Sequence, residues 1–347
     1  MEYFVTGGTG FIGSHLVETL VGDGHDVVVL TRSRSNAAEL PDEVRVVEGD
    51  ITEKASMREA MRGVDGVFHL AAWFQVGPGP WNVEKVERIN VEGTRNVLEL
   101  MDELDVPKGV YASTIGVYGN TGGRRVNESY ESPNSFPTVY QRTKWRAHYE
   151  VAEPMIENGL PLVITTLGAI YGPRDKDYGG TPRSALTDYL DGDLPMLPDD
   201  FVLSFDYVED TARNIQKAMD RGDPGEEYVI AGEPRNMVDV FSVAEDLTGV
   251  AAPRAVPSTL FRLLSYPVAG LERFTRPPAG FESETLRFFD TGAVLVDNSK
   301  AQRELGIEHR SLEQGVREYL EWELEQLDRE ITIDADQETE SPVDTPA

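Results

Sequence analysis

The feature that most constrains this chain stands near its start: Thr6-Gly7-Gly8-Thr9-Gly10-Phe11-Ile12-Gly13, directly after the apolar run Tyr3-Phe4-Val5. A glycine-rich turn between a buried strand and a helix commits the chain to a βα unit whose helix opens on a phosphate-sized space. Gly7 and Gly10 let the backbone turn and approach a pyrophosphate, and Gly13 lets the helix pack closely on the strand. The backbone around Phe11 and Ile12 then presents unpaired N–H groups to the phosphates.

The residues that follow alternate between two periods. Short β-rich runs at Tyr3–Thr6, Asp26–Thr31, Val44–Val47, Gly66–Leu70, Gly109–Ala112 and Leu162–Thr166 read as strands. Between them, Ile12–Val21, Ser56–Met61, Glu84–Glu103 and Val139–Glu157 read as helices. Continuous apolar strands such as Asp26-Val27-Val28-Val29-Leu30 fit burial on both faces. The fold class expected is α/β: a Rossmann doubly wound parallel sheet with a smaller α-rich substrate-binding subdomain. After Tyr171 the pattern breaks into loop chemistry, returns at Val208–Arg221 and Glu227–Ile230, and ends in a helix at Leu312–Leu327. The expected division gives residues 1–177, 206–231 and 293–327 to the dinucleotide-binding domain. Residues 178–205 and 232–292 go to the substrate subdomain, and 328–347 to a disordered acidic tail.

Several further segments recur in a telling order. They are Gly49-Asp50-Ile51, His69-Leu70-Ala71-Ala72, Asn90-Val91-Glu92-Gly93-Thr94, Ser113-Thr114 with Val117-Tyr118-Gly119, Tyr140-Gln141-Arg142-Thr143-Lys144, Tyr171-Gly172-Pro173-Arg174 and Asn298-Ser299-Lys300-Ala301. With the G-x-x-G-x-x-G turn, this series resembles the extended branch of the short-chain dehydrogenase/reductase family, the NAD-dependent epimerase/dehydratase group, over about residues 1–325. Within it the chain is most similar to dihydroflavonol reductase-like members and to the group labelled hopanoid-associated sugar epimerases. The resemblance implies that Asp50 and Ile51 contact adenine and that Leu70, Ala71, Ala72 and Asn90 lie beside the cofactor. It also implies that Thr114, rather than Ser113, joins Tyr140 and Lys144 in catalysis. A homodimer through helices 84–103 and 139–157 follows from the same resemblance.

The chemistry of the pair is intelligible without the family. Tyr140 and Lys144 are four residues apart on one helix and share a face. A phenol titrates near pH ~10, and an adjacent ammonium with a positive nicotinamide would bring it toward neutrality as a general acid/base. Lys144 would also hold the ribose hydroxyls, and Thr114 the substrate oxygen. The second strand ends Leu30-Thr31-Arg32-Ser33-Arg34, without the acid that an NAD enzyme places on the ribose 2′-OH. Arg32 suits a 2′-phosphate, so NADP(H) is favoured and NAD(H) is the alternative.

Departures from the resemblance narrow the activity. Ile115-Gly116 replaces the Asp-Glu pair that sugar-nucleotide dehydratases carry after the catalytic Thr. Leu203 stands where many sugar-nucleotide enzymes carry a diphosphate-holding Arg, leaving Arg174, Arg183 or Arg287 to compensate. Trp73-Phe74 after the fourth strand and the apolar segment 257–274 point to a carbonyl substrate with hydrophobic bulk. The leading expectation is an NADP(H)-dependent ketone/alcohol oxidoreductase. The alternatives are a sugar or nucleotide-sugar epimerase with retained NAD, and a non-catalytic NADP(H)-binding sensor or scaffold, against which the intact Thr114, Tyr140 and Lys144 count.

Composition sets the remaining bounds. With no Cys, thiolate chemistry and disulfides are excluded, and five scattered His give no metal-ligand spacing. The chain carries 61 Asp+Glu against 32 Lys+Arg. Residues 325–347 hold eight of those acids and one base, leaving 53 acids and 31 bases over residues 1–324. So acidic a body, with only seven Lys, reads as halophilic adaptation, and it repels nucleic acid. No signal peptide and no membrane span are read, so a cytoplasmic protein is expected. Residues 257–274 are strongly apolar, with Leu260, Phe261, Leu263, Leu264, Val268, Leu271 and Phe274. They read as a helix packed over the cleft or core, with contact to a membrane surface as the alternative. Arg262, Pro267, Glu272 and Arg273 argue against a span.

Overall fold

The computed structural model describes residues 1–74, 82–132, 135–175, 182–272, 274–275, 277, 282–289 and 294–326. Seven parallel strands form the central sheet: β1 (Glu2–Thr6), β2 (Asp26–Thr31), β3 (Arg45–Glu48), β4 (Gly66–His69), β5 (Gly109–Thr114), β6 (Leu162–Leu167) and β7 (Glu227–Ile230). Their spatial order is β7-β6-β5-β4-β1-β2-β3, so the direction of winding reverses between β1 and β4. Every pairing in this sheet is parallel. In such a sheet, ligands bind beyond the carboxyl ends of the strands at that reversal.

The two-residue period of the strands divides the core in two. Val28 and Leu30 of β2 pack to one side with Phe4, Met57, Leu98 and Tyr111, under the helices Lys54–Met61, 83–103 and 139–157. Val27 and Val29 pack to the other side with Val5, Leu16, Phe68 and Ile215, under α1 (Phe11–Gly22) and the helix Val208–Arg221. These buried faces explain why the strands are apolar without alternation.

The expected strands and helices are all present, with ends shifted by a few residues. The helices over 83–103 and 139–157 differ in one respect: each contains a π-helical stretch, at Arg88–Gly93 and Arg146–Ala152. Neither stretch has a signature in apolar periodicity. Such widened turns recur at functional sites, and these two face each other.

Beyond Gly168 the chain starts a smaller sheet. Ala169–Tyr171 pairs in parallel with Val202–Tyr207, which pairs antiparallel with Pro234–Asn236. Because Ala169 follows β6 and Pro234 follows β7, this sheet stands at the carboxyl end of the main one. Met196–Pro198 and Arg254–Val256 form a further parallel pair. The segment read from sequence as irregular thus contains short strands that isolated residues do not announce. The helices Pro182–Asp191, Met237–Thr248, Ser258–Leu271 and Ser283–Phe289 complete this part. Packing of 257–274 over the core is realised only in part: Phe261 is buried, but Leu260, Leu263, Leu264, Leu271 and Phe274 are exposed. Apolar on nearly every side, that helix carries no periodicity to say which stripe turns inward. The acidic tail read at 328–347 lies outside the described residues.

Candidate active site

The turn after β1 is closed by backbone sterics. Gly7 has φ +77°, and a Cβ on it would stand 2.6 Å from the Ala71 amide nitrogen. A Cβ on Gly13 would stand 2.0 Å from the Gly7 carbonyl oxygen. Only glycine fits either place. Gly10 donates its N–H to Gly7 O at 2.9 Å and begins α1 with no side-chain cap and no acid in the first turn. The first amides around Phe11, Ile12 and Gly13 therefore have a helix-dipole end open to an anion, which fits the pyrophosphate of a dinucleotide. Ala71, whose backbone presses on this turn, and Leu70 lie at the end of β4, while Ala72 is exposed just beyond it.

A buried hydrogen-bond chain ties this turn to the helix that begins at Val139. The Ala71 N–H donates to Thr6 Oγ1 at 3.3 Å, and Thr6 Oγ1 lies 2.7 Å from His69 Nδ1. His69 Nε2 lies 2.9 Å from Thr94 Oγ1, which itself donates to the Asn90 carbonyl at 2.8 Å. One assignment satisfies all of these: Thr94 accepts from Nε2–H and Thr6 donates to Nδ1, so the ring is neutral. Burial and the Lys144 charge agree, pushing His69 down to about 3. The Asn90 amide then accepts from Trp73 N at 2.7 Å, donates to Trp73 O at 3.2 Å and donates to Thr143 Oγ1 at 3.0 Å. Thr143 in turn donates to the Tyr140 carbonyl at 2.9 Å. Asn90 is thus a clamp between the segment after β4 and the catalytic helix, its amide spent on protein partners. Sequence reasoning missed Thr6, Thr94 and Thr143. Their only signal was proximity in sequence to motif residues.

The helix carrying Tyr140 starts on a Thr138 side-chain cap. Thr138 Oγ1 accepts from Gln141 N at 3.1 Å and donates to Gln141 Oε1 at 2.9 Å, and the Val139 N–H donates to the Glu284 carboxylate. At the end of β5, Thr114 caps the turn Ile115–Tyr118 by accepting from Gly116 N at 3.2 Å. The Thr114 hydroxyl stands beside Tyr140 and lowers its phenol, whereas Ser113 is buried on the other face and bonds His148 Nδ1 at 2.9 Å. The structure thus brings Thr114, and not Ser113, to Tyr140. Phe74 meets the Tyr140 ring edge-on at 4.9 Å.

The titration of the pair differs from the expected ammonium–phenol coupling. Tyr140 keeps some exposed surface, yet burial pushes its phenol up to about 12, offset in part by the Thr114 hydroxyl. Lys144 is 3% exposed, and burial pushes it down to about 7. Its ammonium donates to Tyr111 Oη at 2.8 Å and to Ala112 O at 2.7 Å. In the protein alone, desolvation outweighs the mutual charge effect because Lys144 is directed at β5.

The remaining candidates sit as follows. Arg32 is exposed just past β2 and makes no hydrogen bond or ion pair among the described residues. Asp50 accepts from Thr52 N and Thr52 Oγ1, both at 2.8 Å, and Ile51 is buried beside Gly93. Arg174 is committed to Glu18, at 2.7 Å, and to His15 Nδ1 at 2.8 Å, so it is not free to replace a diphosphate clamp. Leu203 lies in the strand opposite Arg235. Arg287 is exposed, and the side chain of Arg183 lies outside the described residues. Among the described residues no cluster of three metal-ligating side chains occurs.

The profile of the NAD dependent epimerase/dehydratase family matches residues 3–231. A sterol demethylase protein B of Methylococcus capsulatus is 30% identical over 330 residues, covering 93% of this chain and 98% of that protein. A putative dihydroflavonol 4-reductase of Synechocystis is 29% identical, covering 92% and 94%. The structure of a dTDP-glucose 4,6-dehydratase variant from Streptomyces venezuelae, solved with NAD bound, superposes with a TM-score of 0.74 at 26% identity, covering 94% and 98%. The chain belongs to the NAD dependent epimerase/dehydratase family, of the extended short-chain dehydrogenase type, and is a nicotinamide-dependent enzyme.

Proposed function

We propose that this family member is an NADP(H)-dependent oxidoreductase that interconverts a ketone and a secondary alcohol on a small, partly hydrophobic substrate. The observation that carries the reading is the contact between Thr114 and Tyr140 at the end of β5, with Lys144 buried one turn further along the helix. A bound nicotinamide supplies or accepts the hydride. The protein's own part is the proton. With its phenol at about 12, Tyr140 is protonated at neutral pH and donates its proton to the nascent alkoxide oxygen. Thr114 holds that same oxygen by a hydrogen bond. Lys144, near 7, holds the ribose hydroxyls and exchanges the proton that Tyr140 must regain. The free protein is therefore poised for carbonyl reduction rather than alcohol oxidation, which needs the phenolate.

The NADP(H) preference is supported by Arg32, exposed and without a partner among the described residues, after a strand that ends in no acid. The ketone reading is supported against a nucleotide sugar by Leu203 and by the commitment of Arg174 to Glu18. The smaller sheet and the helices of 178–205 and 232–292 form the substrate subdomain of this reading. A cytoplasmic homodimer through the helices 83–103 and 139–157 belongs to it as well. The test is reduction of a panel of ketones with NADPH and NADH, alongside mass spectrometry of any cofactor that co-purifies. Turnover with exchangeable NADPH supports the oxidoreductase. Tightly retained NAD with no net turnover of NADPH would make the chain an epimerase.

A further inference from the structure

The helix Ser258–Leu271 is amphipathic in the reverse sense to a helix facing water. The stripe it turns inward carries Ser258, Phe261 and Ser265, and its hydroxyls are satisfied: Ser258 donates to Asp200 Oδ2 at 3.0 Å and Ser265 to the Arg262 carbonyl at 2.7 Å. The opposite stripe is Leu260, Leu264, Pro267 and Leu271, flanked by Leu263 and Tyr266, and all of it is exposed. Leu263 is 63% exposed, Leu271 58% and Phe274, just past the helix, 89%. Scattered apolar side chains on a surface need no explanation, but a contiguous stripe on one helix marks an interaction site.

The charge of the segment points the same way. In a chain of net charge −29, residues 251–278 carry four bases (Arg254, Arg262, Arg273, Arg276) and one acid, Glu272. An apolar helix face on a segment of basic sequence matches an anionic bilayer surface, where leucines enter the acyl boundary and basic side chains meet headgroup phosphates. A second copy fits worse. Isologous pairing through this face would bring two copies of a basic segment together, and pairing with the acidic body would leave the leucines on a polar surface. The acids beside the helix, Asp200 and Glu284, are engaged by Ser258 and by the Val139 N–H, and at 0.15 M salt the Debye length is about 8 Å, so acids farther off do not cancel the local attraction. No described helix is long and apolar enough to cross a membrane, so the contact is superficial.

The same helix is mechanically joined to the active site. Phe261 packs on Phe289 at 5.4 Å, and the Glu272 carboxylate accepts from Ser283 N at 2.7 Å and Ser283 Oγ at 2.6 Å. The helix Ser283–Phe289 so held carries Glu284, the acceptor for the N–H of Val139, the residue before Tyr140.

We propose that the leucine face of Ser258–Leu271 docks the enzyme on an anionic lipid surface, and that the substrate is an apolar ketone or alcohol taken from that surface. The docking stands without the redox reading, whereas the lipid-borne substrate rests on it. The test is flotation of the full chain with vesicles of equal parts phosphatidylglycerol and phosphatidylcholine, or of phosphatidylcholine alone, in 0.15 M KCl. Binding is read without any activity, so its failure is separate from failure of the redox reading. The wild type is expected to float with the anionic vesicles and far less with the neutral ones. Leu263→Glu/Leu264→Glu should weaken partitioning by at least about tenfold, since burying each leucine side chain contributes more than that. Both positions are solvent-exposed, and an unchanged melting temperature with retained dinucleotide binding verifies that the variant is folded. Equal flotation of the two proteins, no flotation of either, or a wild-type dimer that the double substitution dissociates would overturn the proposal, the last by assigning the face to a second copy.

Discussion

Replacing Lys144 by Met should make this protein more stable and less active. The lysine is 3% exposed, and burial moves its titration from 10.5 to about 7. At 1.36 kcal/mol per pH unit, that displacement corresponds to a cost of about 5 kcal/mol for holding the ammonium inside. Met keeps the apolar stem and removes the charge. It also forfeits the bonds to Tyr111 Oη and Ala112 O, each contributing about 1 kcal/mol. The balance is a gain of about 2–3 kcal/mol at pH 7. The sign with pH follows from proton counting. Between about 7 and 10.5 the unfolded lysine is charged and the folded one neutral, so wild-type stability rises with pH across that window. The advantage of Lys144→Met is therefore full at and below pH 7 and shrinks toward pH 10. Denaturant unfolding of both proteins at pH 6.5, 8 and 9.5, with no dinucleotide added, measures it. A variant less stable than wild type at pH 6.5, or an advantage independent of pH, would show that Lys144 is not held at a cost. An inactive but stabilised protein is the trade-off expected of a desolvated functional lysine.

Other predictions follow from separate features. Glu227 is buried beside Tyr118, Thr166 and His148, and burial raises its carboxyl to about 7. Folded Glu227 then binds more protons than unfolded Glu227 between pH 4.5 and 7, so stability falls as pH rises through that window. Glu227→Gln should be neutral at pH 5 and stabilising by about 2 kcal/mol at pH 8 by thermal melts, and stabilisation equal at both values would refute it. Arg32→Asp should reverse the preference for NADP(H) over NAD(H), measured by fluorescence titration of both cofactors; equal affinities in the wild type would remove its basis. Because the acids are spread over the body, the melting temperature should rise with KCl up to molar concentration, and a melt insensitive to salt would contradict the halophilic reading.

The fold was legible because its determinants are local. The β2 run Asp26–Thr31 and the helix Val208–Arg221 have the ends read from sequence, since a continuous apolar run and a 3.6-residue period are each visible along the chain. The glycine turn was legible because Gly7 and Gly13 occupy places where a Cβ would meet backbone. What stayed hidden depends on contacts between segments far apart in sequence. The bond from Thr6 to His69 spans 63 residues, that from Asn90 to Thr143 spans 53, and neither threonine carries a motif that announces it. The two π-helical stretches lie where the long helices meet and have no signature in apolar periodicity. The depressed Lys144 and raised Tyr140 were missed for the same reason: spacing places two side chains on one face, but only packing fixes how much water each retains.

The central claim is that Tyr140 moves the proton, and Tyr140→Phe tests it most directly. The substitution removes one hydroxyl and leaves the ring against Phe74 and the helix bonded through Thr143. Steady-state turnover with NADPH and any ketone that the wild type reduces is measured beside cofactor affinity by fluorescence titration. Turnover should fall about 100–10,000-fold with cofactor affinity nearly unchanged. Near-native turnover by Tyr140→Phe would contradict that claim, because another group would then be supplying the proton.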